Sequence, residues 1–232
     1  MIKQAIIRLK WLKSSQHNKI MPNPSMLRSA VARLYPENDL FHQHNRDGKF
    51  VYRYPQIHYR WDNPKEKSVR NIGDGVIVAF DKGVEALANL FASDIIIKIN
   101  ELGIESYEIT CELRKCNLQI SDELHEYFFR SPWLPLNSNK YEKFLNKTLE
   151  EQQKELNRIA RGNILTAAKD LGIKFESTVY TLFQTKKKVT CQYKDIQLQG
   201  FTGKLISNVE LPEDFAIGAK VSHGFGWIKK IT

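Results

Sequence analysis

Apolar and polar residues alternate from residue 4 to residue 12, with Ala5, Ile7, Leu9 and Trp11 set against Gln4, Arg8 and Lys10. A period of two puts the two sets on opposite faces of a half-buried strand. Met21-Pro22-Asn23-Pro24-Ser25 breaks the pattern, and Ser25 is placed to cap a helix from Met26 to about Tyr35. Leu27, Ala30, Val31 and Leu34 form its inward stripe, Arg28 and Arg33 lie on the solvated face, and Pro36 ends it. Residues 50–61 read as a strand, with Val51, Arg53, Pro55, Ile57 and Tyr59 on one face and Tyr52, Tyr54, Gln56 and His58 on the other. Pro55 argues for an edge or a bulge. Residues 69–80 supply the second arm of that hairpin, kinked at Gly73 and Gly75, before a short helix over 84–91 and an isoleucine-rich strand over 94–100. Strand, helix, strand, strand, helix, strand is the split βαβ order of a ferredoxin-like domain, and it is complete by about residue 100.

A second set of elements follows. Residues 105–113 and 125–130 read as strands, and 139–171 as a helical stretch broken near Gly162. Its apolar stripe runs through Leu145, Leu149, Leu156, Ile159, Ile164, Ala168 and Leu171. Strands over 176–184, 188–193, 196–207 and 215–230 complete the set. The repetition of topology predicts an α+β chain of two tandem ferredoxin-like (RRM-like) domains with antiparallel sheets. They span 1–101 and 104–232 and join near Leu102-Gly103.

Charge changes this picture because it is uneven. Residues 1–70 hold 14 Lys and Arg against 5 Asp and Glu, whereas residues 71–232 hold 21 of each, so the whole net charge of +9 sits in the first third. A polyanionic partner is the natural inference. Three cysteines, Cys111, Cys116 and Cys191, give neither an even framework nor zinc-finger spacing, so a disulfide scaffold is excluded and reduced thiols in the cytoplasm are expected. The N-terminus lacks a signal-peptide core, and no apolar run approaches membrane-spanning length.

The candidate chemistry lies in the same basic third. Residues 41–59 contain three of the six histidines (His42, His44, His58) and three of the nine tyrosines, with Arg46, Lys49 and Arg53 among them. Imidazole can trade a proton near neutrality, and guanidinium or ammonium groups can hold a phosphate, so the combination points to chemistry on a phosphodiester. His44 is the first choice for proton transfer and His42 the second. Tyr52, a poor base with its phenol near 10, is cast as a donor. His58 shares a face with Tyr54 and reads as a packing partner, and His17 and His125 as surface or strand histidines. A zinc site built on His42 and His44 lacks a third ligand at motif spacing, so no metal and no cofactor is expected. Near the C-terminus, Gly218, Gly224 and Gly226 bracket Lys220, Ser222 and His223. Closely spaced glycines let backbone amides approach a phosphate or another strand. RNA-backbone contact and a purely structural loop are both open for His223.

Several stretches in this order resemble the CRISPR-associated repeat-RNA processing endoribonucleases of the Cas-six family, in particular its b-type branch. They are Leu27-Arg28-Ser29-Ala30, His42-Gln43-His44, Tyr52-Arg53-Tyr54-Pro55-Gln56-Ile57, Ser131-Pro132-Trp133-Leu134-Pro135-Leu136-Asn137, Gly162-Asn163-Ile164-Leu165-Thr166-Ala167-Ala168-Lys169, and Gly218 to Gly226. The family's loop reads Gly-x-Gly, five residues, Gly-x-Gly, and here Ala216 stands at the first glycine. The resemblance implies facing ferredoxin-like domains that bind a CRISPR repeat and cut it once without a metal. It maps the family's histidine onto His42 or His44 and an assisting tyrosine onto Tyr52 or Tyr54. Expected RNA contacts are Arg46, Lys49, Arg53, Gly218, Lys220, Ser222, His223, Gly224 and Gly226. The partners it allows are CRISPR repeat RNA or crRNA, subunits of a CRISPR effector complex and a second copy of the chain. A non-catalytic crRNA-binding subunit is the alternative reading.

Overall fold

The computed structural model describes residues 1–12, 21–42, 53–63, 72–88 and 95–231. It divides into two compact units. The first takes Met1–Cys116 together with Ser222–Gly224, and the second takes Asn117–Val221 and Phe225–Thr232. Each is an α+β unit around one antiparallel sheet.

In the first unit the alternating N-terminal stretch forms β1 (Ile2–Leu12). Next come helix α1 (Pro24–Ala32), a single turn α2 (Asp39–His42), β2 (Ile57–Asp62), β3 (Asp74–Phe80), α3 (Lys82–Leu87), a two-residue β4 (Lys98–Ile99) and β5 (Ile104–Cys116). The sheet order is β2-β3-β1-β5-β4. β1 sits centrally, with Ile7 opposite Ile77 on one side and Cys111 on the other. Ala5, Ile7, Leu9 and Trp11 pack with Leu27, Ala30 and Val31 of α1 and with Tyr59 and Ile77. Removing side chains of this size from water contributes about 1.5–3 kcal/mol each, so the core fixes α1 against the sheet.

The second unit contains β6 (Gln119–Phe129), α4 (Ser138–Leu145), α5 (Leu149–Asp170), β7 (Thr181–Tyr193), β8 (Ile196–Glu210) and a short β9 (Ile228–Lys230). Its sheet order is β7-β8-β6-β9. Leaving out the edge strand β4, both units place their four strands in the same relation. The first strand lies between the third and the fourth, and the second strand lies at the edge beyond the third. Tyr127 fixes the centre of the second unit: its hydroxyl donates to Val209 O (3.0 Å) and accepts from Leu211 N (2.8 Å). Burial pushes this phenol up to about 12.

Several boundaries differ from the sequence expectations. The joint falls at residues 116/117, not near Leu102-Gly103, because Ile104–Cys116 pairs along the whole of β1 and so belongs to the first sheet. Among the described residues of the strand expected over 94–100, Lys98–Ile99 pair, as an edge to β5. Of the strand expected over 50–61, residues 50–52 lie outside the described residues, and β2 starts at Ile57, after Pro55, which has no amide to give a ladder. The long helix breaks at residues 146–148, where Thr148 and Glu151 form a capping box, and Gly162 lies inside α5. Residues 181–193 form one strand, and the strand expected over 215–230 shrinks to Ile228–Lys230 behind a loop. Among the described residues no helix is long and apolar enough to cross a membrane.

His58 of β2 is 5% exposed, with Nε2 2.8 Å from Pro55 O and its ring edge-on to Tyr54 and Phe80. Burial first, and then the nearby Arg60 guanidinium, lower its pKa to about 4, against the opposing effect of the hydrogen bond that the ring donates to the Pro55 carbonyl. The unfolded imidazole, near 6.5, therefore takes up a proton that the folded one refuses. This contribution to stability is complete above about pH 6.5 and is lost as the pH falls from there through 4. At roughly 1.4 kcal/mol per unit, the loss is on the order of 3 kcal/mol. Urea unfolding at pH 7, 5 and 4 should show wild type losing that much more than His58→Phe, and parallel profiles would contradict the assignment.

Candidate RNA-binding site

The residues singled out by sequence fall into three groups. His44, Arg46, Lys49 and Tyr52 lie outside the described residues, and His42 is described only as the last backbone position of α2. Arg53 is exposed ahead of β2. Gly218, Lys220, Ser222, His223, Gly224 and Gly226 are all in view, on the loop between β8 and β9. Tyr54, the other tyrosine matched to the family, is 6% exposed and packs against His58. Both are core residues of the first unit.

The loop is built on the Ser131-Pro132-Trp133-Leu134 stretch of the second unit. Gly226 N donates to Pro132 O (2.9 Å), Ala219 N to Leu134 O (3.1 Å) and Trp227 N to Ser131 Oγ (3.0 Å). Trp133 is fully buried, stacks on Phe129, and donates from its indole to Asn163 Oδ1 of α5 (3.0 Å). A Cβ at Gly218 would stand 2.6 Å from the Trp133 ring, and φ there is +100°, so only glycine fits. Trp133, Asn163 and Gly218, far apart in sequence, thus meet at one point of the fold. Ala216 forms an isolated bridge with Trp227 and is not among the residues with positive φ, so alanine serves there without strain.

Lys220 takes a left-handed conformation (φ +60°), with its ammonium 4.7 Å from the centroid of the Tyr193 ring at the end of β7. Lys194 lies 6.0 Å from the same ring. Nothing in the sequence ties Tyr193 to the loop. The pairing appears only once the β7–β8 hairpin is folded.

Beyond Lys220 the chain makes a single 3-10 turn, Val221–His223, whose last two residues, with Gly224, belong to the first unit. There Ser222 is buried, and His223 Nδ1 lies 3.0 Å from Ser25 Oγ in the first turn of α1. One turn along the same helix, Arg28 Nη2 donates to Phe41 O (3.0 Å), the residue before His42. Arg28 therefore has a bonding role inside the fold. Arg33 likewise pairs with Glu101 (3.3 Å). Arg8 and Arg60 both face Asp62, at 3.2 and 3.4 Å. The Arg8–Asp62 and Arg33–Glu101 pairs are largely exposed and contribute about 0–1 kcal/mol each, whereas Arg60 is buried. Among the described residues no group of three or more His, Cys, Asp or Glu side chains could hold a metal ion.

Models of two domains of one family match the chain in order. The Cas6b N-terminal domain covers residues 5–121 and the Cas6b C-terminal domain covers residues 119–231. A crystal structure of Cas6b shares the fold across all of both chains, with a TM-score of 0.80 at 25% identity. The crystal structure of a CRISPR RNA processing endoribonuclease Cas6b also matches over all of both chains, with a TM-score of 0.68 at 22% identity. The uncharacterized protein MJ0978 of Methanocaldococcus jannaschii is 30% identical over 145 residues, which are 60% of this chain and 97% of the relative. The two domain matches meet within a few residues of the division between the folded units, and on them the chain belongs to the Cas6b family.

Proposed function

We propose that this chain is an endoribonuclease that cuts CRISPR precursor RNA within its repeats, with RNA itself supplying the nucleophile. The observation that carries this reading is the match to both Cas6b domains in order, together with a fold relative described as a CRISPR RNA processing endoribonuclease. The basic first third of the chain supports it, because a polyphosphate is the partner such a charge attracts.

The ribose 2′-OH attacks the adjacent phosphorus in line. The new P–O2′ bond forms as the P–O5′ bond breaks. The base takes the hydroxyl proton and an acid returns one to the departing 5′-oxygen, leaving a 2′,3′-cyclic phosphate and a 5′-OH. His44 is assigned to proton transfer, with His42 as its alternate, and Tyr52 to donation toward the leaving oxygen or a phosphate oxygen. A well-placed acid or base is worth about 10²–10⁴ in rate. Arg46, Lys49 and Arg53 hold phosphates. Lys220 and His223 hold the RNA backbone, a class of contact that positions the strand without reading its sequence, while Ser222, which is buried, and the amides of Ala219, Gly226 and Trp227, which bond within the fold, support the loop that carries them. The reaction as written uses no metal.

His44→Ala, alone or with His42→Ala, should lower the single-turnover rate on the protein's own repeat by about 10²–10⁴ while the dissociation constant for that RNA stays close to wild type. Equal losses in rate and affinity would mean that these histidines shape the site and do not move protons. A 2′-deoxy substitution at the nucleotide before the cut should abolish cleavage in excess chelator and preserve binding. Cleavage that survives it would defeat the 2′-OH mechanism, and an intact ribose RNA that binds without being cut would favour a non-catalytic crRNA-binding subunit.

A further inference from the structure

α1 is capped by Asn23, whose Oδ1 accepts from Met26 N at 3.1 Å, and Pro24 fills the first helical position, where no amide needs a partner. Ser25, the residue expected to cap the helix, is thus released from that task. Its hydroxyl lies 3.0 Å from His223 Nδ1, across 198 positions of sequence. The neighbouring Gly224 keeps the contact close. With φ at +88°, a Cβ there would stand 2.5 Å from Pro24 Cγ and 3.3 Å from Tyr59 O. Three residues on from Ser25, Arg28 grips the carbonyl of Phe41. Successive turns of one helix therefore hold the chain just before His42 and the tip of the C-terminal loop.

We infer that Ser25 is a positioning residue of the RNA site, setting His223 so that its Nε2–H donates to a non-bridging oxygen of the phosphate at the cut or beside it. This deepens, and rests on, the endoribonuclease reading above. A serine hydroxyl can donate to Nδ1 of the neutral ring or accept from Nδ1–H of the imidazolium. The hydroxyl serves the other neutral tautomer as well, by accepting from Nδ1–H, so what the contact fixes is the ring's orientation; with a phosphate oxygen opposite Nε2, the form carrying the hydrogen on Nε2 is the one selected. A preset donor stabilises the charge that builds on the equatorial oxygens as P–O2′ forms. Without the serine hydroxyl, Nδ1 loses the contact that orients the ring toward a phosphate oxygen.

The test compares Ser25→Thr with Ser25→Val. The two side chains have the same shape, so any cost to the first turn of α1 is shared. Single-turnover cleavage at saturating repeat RNA should be close to wild type for Ser25→Thr and about 10- to 100-fold slower for Ser25→Val, the size of effect that losing the partner orienting a functional histidine has elsewhere. Ser25→Val combined with His223→Ala should be no slower than His223→Ala alone, because the serine acts through the ring. Equal rates for the threonine and valine variants, or additive losses in the double variant, would overturn the inference while leaving the endoribonuclease reading intact. If wild type binds the repeat but does not cut it, that reading fails. The same variants are then compared in dissociation constant, where Thr and Val must still differ and the double variant must still be non-additive.

Discussion

Residue 224 has no room for a side chain. Pro24 of α1 and the carbonyl of Tyr59 occupy the space a Cβ would need, and the backbone there is left-handed. That contact lets a segment from the end of the chain become part of the first unit, bringing Ser222 and His223 to the first turn of α1. The same logic operates further back along the loop, where Gly218 lies flat against the indole of Trp133. Within the second unit the loop is thus held by a buried tryptophan, and within the first its 222–224 segment meets the first turn of α1.

Close contacts of this kind suit the chemistry proposed for the site. A phosphorane forms only if a hydroxyl, a phosphorus and a leaving oxygen line up, and the protein can lower that barrier chiefly by fixing where donors and cations stand beforehand. Arg28 contributes without touching RNA in this account, since its guanidinium bonds the Phe41 carbonyl and so fixes the chain immediately before His42. His58, close by in sequence, is a counterexample within the same histidine-rich stretch. Buried against Tyr54 and Phe80 and held neutral well below physiological pH, it belongs to the core.

Much of the fold was legible because hydrophobic period is a local property. The alternation of Ala5, Ile7, Leu9 and Trp11 gave β1, and the Leu27, Ala30, Val31 stripe gave α1. Which sheet a strand joins is not local. Ile104–Cys116 alternates equally well as the first strand of a second domain or the fourth of the first, and only pairing with β1 decides it. The helix break is written locally in Thr148 and Glu151 at capping-box spacing, whereas Gly162 is a glycine that a helix tolerates. At the site, the glycines, Lys220 and His223 were visible as a cluster. Their partners were not, because Ser25, Trp133 and Tyr193 meet the loop only through tertiary contact.

Where the phosphate to be cut comes to rest decides whether the histidine segment and the C-terminal loop act on it. The direct measurement is a structure of the protein bound to its repeat RNA carrying a 2′-deoxy nucleotide before the cut. The scissile phosphate should lie within hydrogen-bonding reach of the His44 imidazole and of donors from the 218–226 loop, with the Ser25–His223 contact preserved. A phosphate resting away from both the histidine segment and that loop would contradict it.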